Sequence, residues 1–204
     1  MSDERPFVLC LTGSLGMGKS TAARFFAEAG VPVHDSDAVV HALYETEAVP
    51  LIEQAFPGST AGGKVDRTKL AEMVLNDAAA LARLEAIVHP LVGVAREKFL
   101  AEAQDRGAAV VVLDIPLLFE TAGERRCDAV GVVSAPPDVQ RRRALERSGM
   151  TEEKFAAILT KQTPDGEKRS RADFILDSST DFDHGRAQVR DILRAVATMA
   201  RQPR

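Results

Sequence analysis

The sequence predicts an α/β fold: a five-stranded parallel sheet flanked by helices, with the strand that leads into a phosphate loop at its centre. Three observations carry this reading. Short, continuously apolar runs rich in strand formers recur along the chain, helical patterns alternate with them, and a glycine-rich turn, GSLGMGKS, joins the first run to the first helix. Strands that alternate with helices pair in parallel through crossovers.

The run FVLCLT over 7–12 is apolar throughout, as a strand buried on both faces has to be. A helix over 19–29 ends at Gly30, and VPVHD over 31–35 is the second strand. The third lies near 109–114, the fourth is CDAVGVVSA over 127–135, and the fifth is ADFILD over 172–177. Helices over 137–148 and 184–200 complete the alternation. Two stretches exceed what a crossover needs. Between strands two and three, Leu70, Val74, Leu81, Leu84 and Val88 recur at helical spacing, and the loop PGSTAGGKVD breaks the segment near its middle. Between strands four and five the charged stretch ERSGMTEEKFAAILTKQTPDGEKRSR holds a helix capped by Thr151. The 204 residues therefore read as one domain. Its core covers about 7–36, 108–147 and 172–200, with an insertion over about 37–107 and a lid over about 148–171.

An apolar fraction of 45% and a charged fraction of 27% are those of an ordinary soluble globular protein. The net charge of -4 argues against a general nucleic-acid or membrane-surface role, while leaving room for a local basic patch. Cys10 and Cys127 sit in apolar stretches without metal-ligand spacing and read as buried free thiols in a reducing compartment. The start MSDERPF has no apolar signal core, and unbroken apolar runs such as AAVVVL fall far short of the ~20 residues that span a bilayer. The expected setting is cytoplasmic.

Gly13, Ser14, Leu15, Gly16, Met17, Gly18, Lys19 and Ser20 match G-x-x-x-x-G-K-[ST] in full, directly after a strand and at the start of a helix. Missing side chains let backbone N–H groups turn inward around phosphate oxygens, and the helix N-terminus adds a favourable dipole. In such a loop Lys19 reaches the outer phosphates and the Ser20 hydroxyl ligates magnesium, with Thr21 following at the rim. The chain is thus expected to bind a nucleoside triphosphate in a P-loop fold. No N-K-x-D follows a later strand to read guanine. Asp114 ends the third strand, as a second acid for the magnesium or as a strand-end cap.

Asp35 and Asp37 follow the second strand, where an open parallel sheet binds its ligands. A kinase needs a base or an orienting acceptor for the attacking hydroxyl; the alternative for Asp35 is a helix cap. Gln140, Arg141, Arg142, Arg143 and Arg147 open the charged stretch, and Arg143 and Arg147, four apart, share a helix face. A guanidinium closing over transferring phosphoryl oxygens stabilises their charge; a solvated basic face is the alternative. Lys161, Lys168, Arg169 and Arg171 are further candidates for lid or phosphate contacts. His89, before Pro90 at an expected helix break, reads as structural or as a ligand contact. No metal site is built from His34, His41 and His184 by spacing, so magnesium is expected to arrive with ATP.

The ordered series LTGSLGMGKST, DSDAVVHAL, GKVDRTKLAEMVLND, LEAIVHPLV, LDIPLLFE, VQRRRALERSGMTEE and ADFILDSS strongly resembles the dephospho-coenzyme A kinases. The resemblance implies ATP-dependent phosphorylation of the ribose 3′-hydroxyl of dephospho-coenzyme A, the last step of coenzyme A synthesis. It implies Asp37 as the acid acting on the sugar hydroxyl, and Arg67, His89, Pro116, Leu117 and Leu118 in the acceptor site. It favours Arg143 and Arg147 over their neighbours as the ATP-facing arginines, with Arg143 catalytic beside Lys19. The chain departs from the family at Ser14, usually glycine, and at Ser178, usually asparagine. A small Ser14 keeps the cradle, whereas Ser178 weakens any reading of adenine through an amide. Another P-loop kinase, of the nucleoside monophosphate, shikimate or gluconate type, and a non-catalytic nucleotide switch are the rival readings. The length of the insertion fits a bulky acceptor better than a compact one.

Overall fold

All six residues of the first strand, β1 (Phe7–Thr12), are buried, the environment of a strand with neighbours on both sides and helices on both faces. The computed structural model describes residues 5–75 and 77–200, so the reading of the N-terminus falls largely outside the described residues. In chain order there follow α1 (Lys19–Glu28), β2 (Val33–Asp35), α2 (Ser36–Leu43), α3 (Ala48–Ala55), β3 (Thr60–Ala61), β4 (Lys64–Val65), α4 (Arg67–Val74) and α5 (Ala78–Asp105). The second half gives β5 (Val110–Asp114), a 3-10 turn (Gly123–Arg126), β6 (Ala129–Ser134), α6 (Pro137–Leu145), α7 (Glu152–Leu159), α8 (Asp165–Ser170), β7 (Phe174–Asp177) and α9 (Phe182–Met199).

The chain divides into two compact units: one holds the described residues up to His34 and from Glu102 onward, the other spans Asp35–Ala101. The first carries the five-stranded parallel sheet in the order β2-β5-β1-β6-β7, with the loop-bearing strand central as expected. Leu9 lies opposite Val112 on one side and Ala129 on the other. Leu9, Leu11, Phe26, Val112, Val133 and Val196 are fully buried, with α1 and α9 adding Phe25, Val189 and Ile192. A rigid apolar slab of this kind fixes the strand C-termini from which the loops emerge.

One expectation fails here. Cys10 of β1 and Cys127, just ahead of β6, form a disulfide across 117 residues, with Cα atoms 5.7 Å apart. The parallel β1–β6 pairing sets Cys10 beside Val130 and so brings two apolar positions, isolated in sequence, into contact. The free-thiol reading is corrected, and the reducing compartment inferred from it loses that support.

The second unit has its own core, in which Leu43, Ile52, Phe56, Leu70, Val74, Leu84 and Val88 are buried. The expected central loop contains a β3–β4 hairpin. Gly62 and Gly63, with φ of 59° and 78°, fill its two-residue turn, the geometry that Gly-Gly provides without steric cost. α5 runs unbroken through Pro90, correcting the helix break expected there. Proline removes one rung of the ladder, and Pro90 is exposed, where water can serve the carbonyl it leaves. An 18-residue window of α5 has a mean hydropathy of 1.5, enough by length and composition to cross a membrane, although no unbroken apolar run is that long. Its Ala80, Leu84 and Val88 are buried in the core of the unit.

Candidate active site

The phosphate loop leaves the C-terminal end of β1 and closes on itself where the Met17 N–H donates to the Ser14 carbonyl at 3.1 Å. Ser14 is buried and the loop conformation is intact around it. Gly16 and Gly18 have φ of 81° and 84°, and a Cβ on Gly16 would lie 2.5 Å from the Gln140 carbonyl oxygen. Only glycine fits there. Met17 is buried beneath the loop, where its sulfur accepts the Ala135 N–H at 3.2 Å.

Side chains from three other segments hold the loop. Gln140, buried in α6, donates from Nε2 to the Leu15 carbonyl at 2.9 Å. Gln162 accepts the Leu15 N–H at 3.2 Å. Ser178, just past β7, donates its hydroxyl to the Met17 carbonyl at 2.7 Å. Among the described residues no protein acceptor takes the N–H groups of Gly16, Gly18, Lys19 or Ser20. Those donors, at a helix N-terminus, are what an anion requires.

Lys19 forms an ion pair with Asp114, and their side chains are 14% and 3% exposed. Asp114 is thus also the buried counter-charge of the loop lysine. Asp114 at the end of β5 and the exposed Ser20 hydroxyl on α1 offer oxygen donors only, the set that suits a hard ion such as magnesium. Behind Asp114, the Thr12 hydroxyl donates to the Pro116 carbonyl at 3.1 Å. Leu118 is fully buried, whereas Leu117 is 44% exposed, so Leu117 has side-chain surface to offer an acceptor.

Arg143 binds Ser178 twice, from Nη1 to the hydroxyl at 2.9 Å and from Nη2 to the carbonyl at 2.8 Å. With Gly18, Thr21, Phe25, Ser178 and Phe182 it lines a cavity of about 320 Å³ beside the loop. Arg147 does not share its helix face: α6 ends at Leu145, and Arg147 lies exposed in the turn that follows. Arg141 pairs instead with Glu152 of α7. Two lid candidates are already occupied. Lys168, fully buried, pairs with Glu120 at 3.0 Å. Arg171 pairs with Glu124 and Glu167 and lies over the Phe119 ring at 4.3 Å. Burial pushes the Glu120 carboxyl up, but backbone N–H groups, among them that of Thr163, and Lys168 outweigh it and hold its pKa below the ordinary value.

The second unit holds Asp35, Asp37, Arg67 and His89. Asp35 caps α2, accepting the N–H groups of Asp37 and Ala38 at 2.9 and 3.0 Å, which is the capping alternative. Asp37 stands exposed in the first turn of α2 with a carboxylate free of that duty. Arg67 opens α4, and its charge opposes the burial that raises the Tyr44 phenol pKa. His89 is exposed on α5. Sequence reasoning named Gln140 only as a neighbour of the arginines and passed over Gln162. Neither has a motif of its own; an amide shows its use only once its partner is placed.

The dephospho-CoA kinase family model matches residues 7–184. A dephospho-CoA kinase from Rhodopseudomonas palustris is 59% identical over 195 residues, 96% of this chain and 98% of that protein. One from Bradyrhizobium diazoefficiens is 60% identical over 192 residues, 94% and 96% of the two. The solved structure of TT1252 from Thermus thermophilus is 35% identical, with a TM-score of 0.81 over 96% of this chain and 98% of that one. With a complete phosphate loop, its lysine paired to a strand-end acid, and near full-length similarity, the chain belongs to the dephospho-CoA kinase family.

Proposed function

We propose that the protein transfers the γ-phosphoryl group of ATP to the ribose 3′-hydroxyl of dephospho-coenzyme A. The observation that carries this reading is the loop. Its inward N–H donors and the Lys19–Asp114 pair form a nucleotide-phosphate cradle, in a chain whose relatives at 59% and 60% identity are named dephospho-CoA kinases. In the step, the hydroxyl oxygen attacks the γ-phosphorus, the bond to the β–γ bridging oxygen breaks, and ADP leaves with the electron pair. The hydroxyl proton passes to the Asp37 carboxylate, which orients the nucleophile before receiving it. The loop N–H groups and Lys19 stabilise charge on the β- and γ-oxygens. Ser20 and Asp114 would hold magnesium, which would supply neutralisation of phosphate charge. Arg143 closes the nucleotide side, with Arg147 nearby in sequence, while Arg67, His89, Pro116, Leu117 and Leu118 belong to the acceptor side. The burial of Ala80, Leu84 and Val88 of α5 in the core of the second unit supports a soluble enzyme.

The test is ADP release with magnesium, ATP and a panel of acceptors: dephospho-coenzyme A, a nucleoside monophosphate, shikimate and gluconate. Dephospho-coenzyme A should accelerate release and gain one phosphate by mass. Acceleration by another acceptor alone, or by none, overturns the reading.

A further inference from the structure

Ser178 occupies a junction that no motif accounts for. Its backbone is fixed at the sheet edge, where its N–H donates to the Ser134 carbonyl at 2.9 Å. Its hydroxyl proton goes to the Met17 carbonyl at 2.7 Å, and the same oxygen accepts Arg143 Nη1 at 2.9 Å. Its own carbonyl accepts Arg143 Nη2 at 2.8 Å. The residue also packs on the loop: a Cβ on Gly18 would stand 3.0 Å from this hydroxyl and 3.5 Å from Arg143 Nη1. One small side chain therefore links three things: the end of β7, the guanidinium that lines the nucleotide cavity, and the loop residue two before Lys19.

The chemistry of a hydroxyl sets what Ser178 can do. It has one proton, and Met17 takes it, so Ser178 has no donor left to offer a base. Its bonds to Arg143 are charge-assisted and two-pronged, the arrangement that fixes a guanidinium plane in orientation as well as in place. A long side chain held at two points keeps little rotameric freedom, and a site held before its substrate arrives need not be ordered by it.

We propose that Ser178 is a positioning residue for phosphoryl transfer, its hydroxyl coupling Arg143 to the phosphate loop so that the two meet the nucleotide as one unit. This rests on the kinase reading of the site, and it makes Ser178 a latch of the loop where an amide would have read the nucleobase. It also assigns part of the worth of Arg143 to its partner. Without the hydroxyl, Arg143 keeps its charge but loses one of its two anchors, and the loop loses the donor on Met17.

The test is a four-protein cycle of wild type, Ser178→Ala, Arg143→Ala and the double variant, each read twice. The readouts are the equilibrium dissociation constant for ATP and kcat at saturating ATP and dephospho-coenzyme A. Ser178 is half-buried, and removal of one oxygen is a mild truncation; melting temperatures confirm that each variant is folded. Ser178→Ala should lower kcat about tenfold, the worth of roughly one hydrogen bond to a charged group, with the acceptor KM within about twofold of wild type. In the Arg143→Ala background the same change should cost about threefold less, because its main partner is gone. Coupling of threefold or more in ATP affinity or in kcat supports the latch. Coupling below that in both, or a Ser178→Ala enzyme equal to wild type in both, overturns it. If wild type fails to use dephospho-coenzyme A, the functional reading falls, while the ATP-affinity cycle still decides the role of Ser178.

Discussion

The residues proposed for the phosphoryl transfer differ in kind between the two units. The phosphate loop is held from below and from the side by the buried Met17 and Gln140 and the half-buried Gln162 and Ser178, and its lysine is paired with a nearly buried acid. Asp37, Arg67 and His89, proposed for the acceptor side, stand exposed on helices, and what is fixed around them is backbone: Asp35 caps α2, and Asp66 caps α4 through the N–H groups of Thr68 and Lys69. A γ-phosphate is small and always the same shape, so a cradle for it can be prearranged in backbone. An acceptor with a long flexible arm is better met by side chains on elements that can adjust.

That contrast breaks first at Lys19. Lys19→Ala should lower kcat on the order of 10²-fold or more, the usual worth of one oriented charge at a developing anion. The structure adds a second effect. Asp114, 3% exposed, would lose the cation paired with it, and removing one partner of a buried ion pair costs about 3–5 kcal/mol. Stability should therefore fall together with turnover, and the double variant Lys19→Ala/Asp114→Asn should recover the melting temperature but not the activity. Normal turnover in Lys19→Ala would contradict the cradle; an unchanged melting temperature would show that the pair is not buried in solution.

Asp37 sharpens the comparison from the other unit. Asp37→Asn keeps size and an acceptor oxygen but loses the negative charge, and should lower kcat roughly 10²-fold, the worth of a positioned general base. ATP affinity should stay within about twofold, since the loop N–H groups and Lys19 hold the phosphates. No stability loss of the Lys19 kind is expected, because Asp37 is exposed and has no buried partner to strand. Near-normal turnover would remove Asp37 from the reaction. A collapse of ATP binding with the fold intact would move it to the magnesium shell.

The same physics explains what could be read from the sequence. The sheet was readable because parallel strands buried on both faces write themselves as unbroken apolar runs such as FVLCLT, and the cradle because its backbone demands glycine at fixed spacing. Helix ends were less certain: α6 stops at Leu145, so the inferred Arg143–Arg147 face does not exist. Contacts between distant segments left no local mark. The Cys10–Cys127 disulfide, the Lys168–Glu120 pair and the Ser178 latch each join positions tens of residues apart whose types are ordinary for their surroundings. The Gly62–Gly63 hairpin is different: the signal was present, in a loop that had been read only as a break. Position after the second strand marked Asp35 and Asp37 together as candidates, whereas the choice of Asp37 and the acceptor-side reading of Arg67 and His89 come from resemblance, since an exposed carboxylate has no fixed geometry of its own.

The smallest effect on turnover, and a sharp one on stability, is expected at Glu120. Its carboxyl sits 3.0 Å from the fully buried Lys168 ammonium and accepts the Thr163 N–H at 2.8 Å, tying the segment after β5 to α8 and the turn before it. Its pKa is lowered on folding, so the stability it contributes is complete above the unfolded value of 4.5 and is lost as the pH falls through the folded one. The second unit offers the control. Glu53 of α3 has a lowered pKa as well, through the Gly58 N–H and the Thr60 hydroxyl, but these partners bind it near the surface, between α3 and the start of the β3–β4 hairpin, and its partners carry no buried charge. Melting temperature measured from pH 7 downward should therefore start to drop near pH 4.5 in wild type. Glu120→Gln should melt lower at neutral pH, on the order of 3 kcal/mol less stable because Lys168 loses its partner, and should lose less on acidification. Glu53→Gln should track wild type closely in both respects. If Glu120→Gln and Glu53→Gln gave the same curve, the buried pair would carry no special share of the acid lability, and α8 would be held to the first unit by its other contacts alone.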